Sequence, residues 1–483
     1  MSCEDSPVIA VDIGTSAVRA ALFSVEGQSL YAVRRPRTTD LGGVFFDAEA
    51  LWGDVRSTLR SLEVADTDIA SVSVSAHIGT VAVDETLMPV ANGGGWADVR
   101  GLASLNAEDQ ALVGRMLSSS GRPVTAGSAL ALALDLYKQG LGDQMHVLLS
   151  PKDFVIARLT GQLCTDIVDA AYTLAFDIRS GDWQKDALAR LGVAPSLFPA
   201  VAQPSDVVAV VSPEGGLACG LPARTPVIAG GPDGSVGLGL LLGSDERSIA
   251  DIAGTTDVLG MLVDDAKDQP SAAIINPSLV PGRWTIGGPT GLTGGAVANW
   301  RSLVGSVEEG ELNAIASGCD GLRVLPAMSG ERFPRWNPAT RGAVLGRNFD
   351  HGPAHLLRAA QEAACFAVRE GLDLLDPSRT RPVKIAGGSV RSRAVAQMRA
   401  DSFGRPLLVA NDPDVTLVGA AGLALIAAGV VGDLDEARDR LCVRFSLIEP
   451  RADRVARYDE IYEDWLTARD VTATFDSRRS SAV

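Results

Sequence analysis

Apolar residues at the start of the chain fall in short, closely spaced runs, which predict three strands at about 8–13, 17–25 and 28–35, with Glu26-Gly27 as the turn between the second and third. The period then changes. Leu51, Trp52, Val55 and Leu59 recur at helical spacing and predict a helix over 48–63, after which Ile69 to Ser75 reads as a strand. Further helices are expected near 106–118, 128–139 and 151–159; Pro151 suits the first turn of the last and Gly161 its end. A Pro-rich stretch, Pro195 to Pro204, leads to a strand over Thr225 to Ala229 and a glycine cluster, Gly230-Gly231-Pro232-Asp233-Gly234.

The second half repeats the opening. Two apolar runs, Ser248 to Ala253 and Val258 to Val263, flank a turn; a long helix follows at 353–374, then a strand at Val383 to Ala386, a turn at Gly387-Gly388-Ser389, and helices at 393–403 and 415–428. Strands alternating with helices predict an α/β protein. The boundary between halves is expected near 240–247, giving domains 1–244 and 245–468, with 469–483 expected as a flexible tail.

A length of 483 residues suits two cores, since single cores stop growing well below that size. The formal charge of -16 argues against nucleic acid or an anionic membrane as partner. The acidic start, Met-Ser-Cys-Glu-Asp, lacks the basic and apolar regions of a secretory signal, so the expected location is the cytoplasm. Six scattered cysteines with no close pair read as free thiols rather than a disulfide framework or a zinc site.

Chemistry enters with the repeat. Val8 to Ser16 ends in Asp12-Ile-Gly14-Thr15-Ser16, and Ser248 to Thr256 ends in Ile252-Ala-Gly254-Thr255-Thr256. An apolar strand ending in Gly-Thr-Ser/Thr presents backbone N–H groups and hydroxyls at a turn, which suits phosphoryl oxygens. Asp12 at the end of a strand suits Mg²⁺ or its waters; the second copy has Ile252 in that place.

The ordered set of motifs resembles the FGGY carbohydrate kinase family, most nearly its pentulose kinases of the xylulokinase type. Asp12 to Arg19 resembles the family's first phosphate motif and Gly254-Thr255-Thr256 its second; Leu325 to Pro334 resembles its Leu-Pro…Ser-Gly-Glu-Arg-x-Pro stretch and Ala386 to Ser392 its adenosine motif. The resemblance implies two ribonuclease H-like domains of the actin and sugar kinase type flanking a cleft, the first holding sugar and catalytic Asp, the second nucleotide. It implies ATP and Mg²⁺ as cofactors, with Gly14, Thr15, Ser16, Arg19, Gly254, Thr255, Thr256, Gly294, Gly295, Gly387, Gly388 and Ser389 at the nucleotide. Asp233 matches the aspartate that takes the proton of the attacking hydroxyl, and Asp12 is expected to position metal or water. Trp96, Asp98 and Arg100 keep a Trp-x-Asp-x-Arg arrangement expected at the sugar, where His77 replaces the family's glutamine. The expected reaction is conversion of D-xylulose to xylulose 5-phosphate, with ribulose, another polyol or a sugar acid as alternative acceptors and a non-catalytic sugar- or nucleotide-binding protein as the other reading. A homodimer is implied by the resemblance alone.

Overall fold

The computed structural model describes residues 6–39, 44–267 and 269–480, the side chains of 474–480 excepted. The chain forms two compact units. One comprises Met1–Ser244, Ile275–Trp284 and Val415–Cys442; the other comprises Asp245–Ile274, Thr285–Asp414 and Val443–Val483. One break falls at Ser244/Asp245, inside the expected boundary region, but the chain then re-enters the first unit twice.

The first unit is built on the strands expected from the opening pattern. β1 (Val8–Ile13), β2 (Ala17–Phe23), β3 (Ser29–Pro36) and β4 (Ser71–Ala76) join β5 (Val207–Val210), β6 (Pro226–Ile228) and β7 (Gly231–Pro232) in one sheet. Its order is β5-β6-β4-β1-β2-β3, with β7 also on β4. β1 and β2 are antiparallel, whereas β4 runs parallel to β1, β6 and β7. All six residues of β1 and of β4 are buried, as expected of strands covered on both faces.

Helices supply that cover. α1 (Ala48–Arg60) begins where Asp47 accepts the N–H groups of Glu49 and Ala50 at 2.9 and 3.0 Å, and it buries Leu51, Trp52, Val55 and Leu59. α2 (Pro151–Thr160) has Ser150 and Asp153 in a capping box and Gly161 at its end. The helix expected over 106–118 is instead two, Leu102–Ala107 and Gln110–Ser119, because Asp109 caps the second through the Ala111 N–H. On the remaining face α3 (Asp233–Leu242) packs on a helix from far along the chain, Val415–Ala427. Gly419 permits this: a Cβ there lies 2.8 Å from the Val236 carbonyl oxygen.

The second unit repeats the plan. β8 (Ile249–Ala253) and β9 (Asp257–Val263) form an antiparallel pair, and β8 runs parallel to β11 (Val383–Ala386), itself parallel to β12 (Leu407–Ala410). β10 (Trp284–Pro289) lies beside β9, and β13 (Phe445–Ile448) closes the far edge antiparallel to β12. Against the tail expected from 469, the helix Ala452–Ser480 runs on through that point, with Arg469 buried and bonded to Glu370 at 2.9 Å. Residues 481–483 lie outside the described residues.

Candidate active site

Strand topology brings the principal groups of the first unit together. In the parallel register Asp12 lies beside Ser75 and Ile13 beside Ala76, while Gly231 and Pro232 occupy the other side of the same two residues. The Gly14-Thr15-Ser16 turn, His77 and Asp233 therefore leave the carboxyl ends of three adjacent strands, each about 5 Å from the next. Such a strand-end crevice is the usual ligand position in open α/β sheets. Gly230 makes the arrangement possible. Its φ is +69° and a Cβ would sit 1.9 Å from the Val74 carbonyl oxygen, so only glycine lets the chain step from β6 to β7 there.

Asp233 opens α3 and accepts the Gly234 N–H at 2.7 Å. Burial, then the nearby charge of Asp12, pushes its carboxyl up to about 7, against the opposing influence of the Gly234 N–H and Arg19. A carboxylate poised there suits proton acceptance near neutrality. Asp12 is fully buried and forms an ion pair with Arg19, its partner across the β1–β2 ladder. The first turn closes with Gly14 N–H on the Ala17 carbonyl at 2.9 Å and leaves Thr15 and Ser16 exposed.

His77 is pinned from both sides of its ring. Nδ1 lies 3.1 Å from the Ile78 carbonyl oxygen and Nε2 3.2 Å from Arg37 Nη1. A carbonyl accepts only, and a guanidinium donates only, so Nδ1 carries the proton and Nε2 accepts. Burial, the largest influence, and the Arg37 charge hold the imidazole neutral by lowering its pKa to about 4, although the bond to Ile78 works the other way. His77 thus spends its ring nitrogens on the protein.

Asp98 and Arg100 are likewise turned toward each other. Arg100 Nε and Nη2 lie 2.9 and 2.8 Å from Asp98 Oδ2, Nη2 donates to Asn92 O at 2.9 Å, and the guanidinium stacks 4.6 Å over Phe45. The pair braces the strand Gly93–Gly95, where a Cβ on Gly94 would lie 2.1 Å from the Asp98 carboxylate. Trp96 is half-buried in the following turn.

In the second unit, the turns after the parallel strands β8 and β11 are neighbours. Ile252 pairs in register with Ala386, and Gly387, at φ +125°, leaves 2.4 Å between a would-be Cβ and the Ala253 carbonyl oxygen. The Gly254-Thr255-Thr256 turn receives α4 (Thr293–Val304): Gly295 N–H donates to Thr255 O at 2.9 Å, and a Cβ on Gly294 would lie 2.1 Å from Gly254 O. Arg332 and the motif around it lie in the same unit. Ser389 Oγ is shielded from solvent and has no hydrogen-bond partner among the described residues. Gly388 beside it is exposed. Close-approach turns with an unsatisfied hydroxyl fit a phosphate chain and its nucleoside.

A clamp behind this turn has no counterpart in the sequence reading. Arg399, on α5 (Arg393–Phe403), reaches Asp251 at 3.0 Å and Asp257 at 2.6 Å, and Asp257 also takes the Thr293 hydroxyl at the start of α4. Burial opposes the Arg399 charge, but Asp257 and Asp251 outweigh it and raise the pKa; Asp251, sharing one cation with Asp257, is itself pushed up by burial and by that neighbour. The available signal was Asp251 standing inside the apolar run Ile249-Ala250-Asp251-Ile252. Among the described residues, three or more His, Cys, Asp or Glu side chains nowhere gather as a metal site.

The model of the FGGY carbohydrate kinase N-terminal domain matches residues 7–239, and that of the C-terminal domain matches 250–428. The chain belongs to the FGGY family of carbohydrate kinases. It is 26% identical over 480 residues to the xylulose kinase of Bacillus subtilis (strain 168), covering 94% of this chain and 95% of that one. It is 25% identical over 464 residues to the gluconokinase of the same strain, covering 90% of each. In fold it is similar to a ligand-bound xylulose kinase from Lactobacillus acidophilus, with a TM-score of 0.88, 23% identity, and 98% of this chain and 99% of that chain covered. This FGGY protein is thus a sugar kinase with a two-domain ribonuclease H-like fold. No helix of the described residues is long and apolar enough to cross a membrane.

Proposed function

We infer that this kinase transfers the terminal phosphoryl group of ATP to a hydroxyl of a small sugar or sugar acid, with Asp233 as the general base. The observation that carries the reading is Asp233 itself: a carboxyl held near 7 beside a second carboxylate, at the mouth of three parallel strands. ATP supplies the phosphoryl group; Asp12 would hold Mg²⁺ or a water bound to it, and that ion would offset the charge on the phosphates. Arg19 orients Asp12 by their ion pair. The turns at Gly14 and Gly254 offer room for phosphate oxygens, and Gly387, Gly388 and Ser389 form the surface for the nucleoside. Asp233 accepts the proton as the hydroxyl oxygen attacks in line.

The xylulose kinase relatives support D-xylulose, giving xylulose 5-phosphate, and the gluconokinase relative supports a sugar acid. Trp96-Ala-Asp98-Val-Arg100 favours neither, because Asp98 and Arg100 bond each other. The test is ADP release and product mass across ketopentoses, hexuloses, polyols and aldonic acids. Sugar-dependent ADP release with a phosphorylated product is expected; if no carbohydrate raises turnover above ATP hydrolysis, the kinase reading fails.

A pH profile provides a second check. The base must be ionised, so kcat/KM should rise with pH through about 7 and fall about tenfold per pH unit well below it. A profile flat from about pH 5.5 to 8.5, with the acceptor's own ionisation constant over that range, speaks against Asp233 as the base.

A further inference from the structure

The Arg399 clamp in the second unit joins more elements than a buried ion pair needs. Arg399 sits on α5, the helix that follows the Gly387-Gly388-Ser389 turn, and its Nη1 lies 3.0 Å from Asp251 Oδ2 and 2.6 Å from Asp257 Oδ1. Asp251 stands in β8 ahead of Gly254, and Asp257 opens β9 directly after Thr256, so the two carboxyls bracket the Gly254 turn. Asp257 carries the hold onward. Its Oδ2 accepts the Thr293 hydroxyl, its N–H donates to Thr293 Oγ1 at 3.1 Å, and its carbonyl accepts the Thr290 N–H at 2.9 Å. Thr293 begins α4 and is followed by the two glycines that pack against the Gly254 turn. One cation thereby links β8, β9, α4 and α5.

Stability does not account for this arrangement. The side chains of Asp251 and Asp257 are wholly buried and that of Arg399 is only 3% exposed, and apolar side chains of similar volume often hold a fold as well as such ion pairs or better. Two carboxylates against one guanidinium would also leave a negative charge in a dry site, so one of them takes up a proton. Asp251 is suited to it. Both oxygens of Asp257 receive donors, whereas Asp251 Oδ1 has no hydrogen-bond partner among the described residues, and burial together with the Asp257 charge pushes the Asp251 carboxyl up against the influence of Arg399. The Cys365 thiol, on the helix Pro353–Leu375, adds no charge here, since burial pushes it up to about 12.

We propose that Arg399 is a positioning residue for the nucleotide: it draws Asp251 and Asp257 together and, through the Thr293 hydroxyl, fixes the Gly254 turn and the head of α4 at the spacing the ATP phosphates need. The proposal rests on the reading that these turns hold ATP, and it names what holds the turns. Arg399 is buried behind the Gly254 turn and acts through it. Asp251 serves in its neutral form.

The experiment measures calorimetric affinity for ATP with Mg²⁺, KM for ATP, KM for whichever of D-xylulose and gluconate turns over, and melting temperature. The proteins are wild type, Arg399→Met, Arg399→Lys, Thr293→Val, Asp251→Asn and Gly294→Ala. Thr293→Val leaves every buried charge paired, so it should fold, and it should weaken ATP binding about fivefold by freeing the head of α4. Arg399→Met should weaken it roughly tenfold or more, and Arg399→Lys, which keeps the cation on a shorter stem, should recover part of that loss. Asp251→Asn supplies a neutral side chain of the same shape and should cost only about twofold. The acceptor KM should move by less than about twofold in each, because the effect is confined to the nucleotide turns. A loss shared equally by ATP and acceptor marks general loosening and overturns the proposal. If Gly294→Ala weakens ATP binding while Thr293→Val and Arg399→Lys, melting like wild type, do not, the role of Arg399 fails and the placement of the nucleotide stands. If Gly294→Ala binds ATP as wild type does, that placement fails and the proposal with it.

Discussion

Replacing Asp233 with Asn is expected to lower kcat by about 10²–10⁴ while leaving nucleotide affinity within a few fold, because general-base contributions fall in that range. The amide keeps the shape of the side chain and loses only the ability to take a proton. The same change is expected to stabilise the protein. Asp233 is held near 7 in the folded chain against 3.8 ordinarily, so folding favours its protonated form. Above about pH 7 the folded protein carries the unfavourable charge in full, and the penalty fades as pH falls from 7 toward 4. The variant's gain is therefore largest above pH 7, on the order of 1–2 kcal/mol given the partial access of solvent, and it vanishes below about pH 4. Denaturant unfolding at about pH 8 and pH 4, alongside turnover, reads both effects. Wild-type turnover in the variant, or unchanged stability at the higher pH, would remove the case for Asp233 as a strained base.

Gly294→Ala is expected to raise the KM for ATP at least tenfold, with the acceptor KM nearly unchanged. Its new methyl would lie 2.1 Å from the Gly254 carbonyl oxygen, so the Gly254 turn or the first turn of α4 must move. Misplacement by about 1 Å costs on the order of a hundredfold where groups must align. Gly295→Ala should be milder, since its nearest neighbour, at 3.2 Å, is a Thr255 side-chain methyl. Gly310→Ala is the control: nothing lies within 4 Å, and alanine favours the helix there. ATP binding by Gly294→Ala equal to that of wild type would show that α4 and the Gly254 turn do not form the nucleotide surface.

These effects trace to features with unequal visibility in the sequence. The strand–turn–strand repeats were legible because buried strands read as unbroken apolar runs and because glycine and threonine mark their turns. Asp233 was singled out by resemblance to the family's Gly-Gly-x-Asp motif, with glycines on either side of it. Asp98 and Arg100 were not settled, since residues two apart can serve a ligand or each other with equal ease, and only the fold shows them bonded. Arg399 was invisible for a different reason: Asp251 lies 148 residues away, and no local pattern announces such a pair. Arg37 follows Arg34-Arg35-Pro36, and no local pattern separates it from those two exposed arginines, although its own side chain is buried.

The helix Val415–Ala427 was readable as a helix but not as a component of the first unit. It lies more than 170 residues beyond Ser244 and accepts the Ser71 hydroxyl at the Ala424 carbonyl, 2.8 Å away, while Thr416 donates to the Asp233 carbonyl at 3.3 Å. During synthesis, therefore, the first unit stays incomplete long after its opening 244 residues are made, until residues 415–442 follow. Its sheet waits with one face bare until nearly the whole polypeptide has left the ribosome, and a fragment ending at Ser244 lacks the helix that backs Asp233.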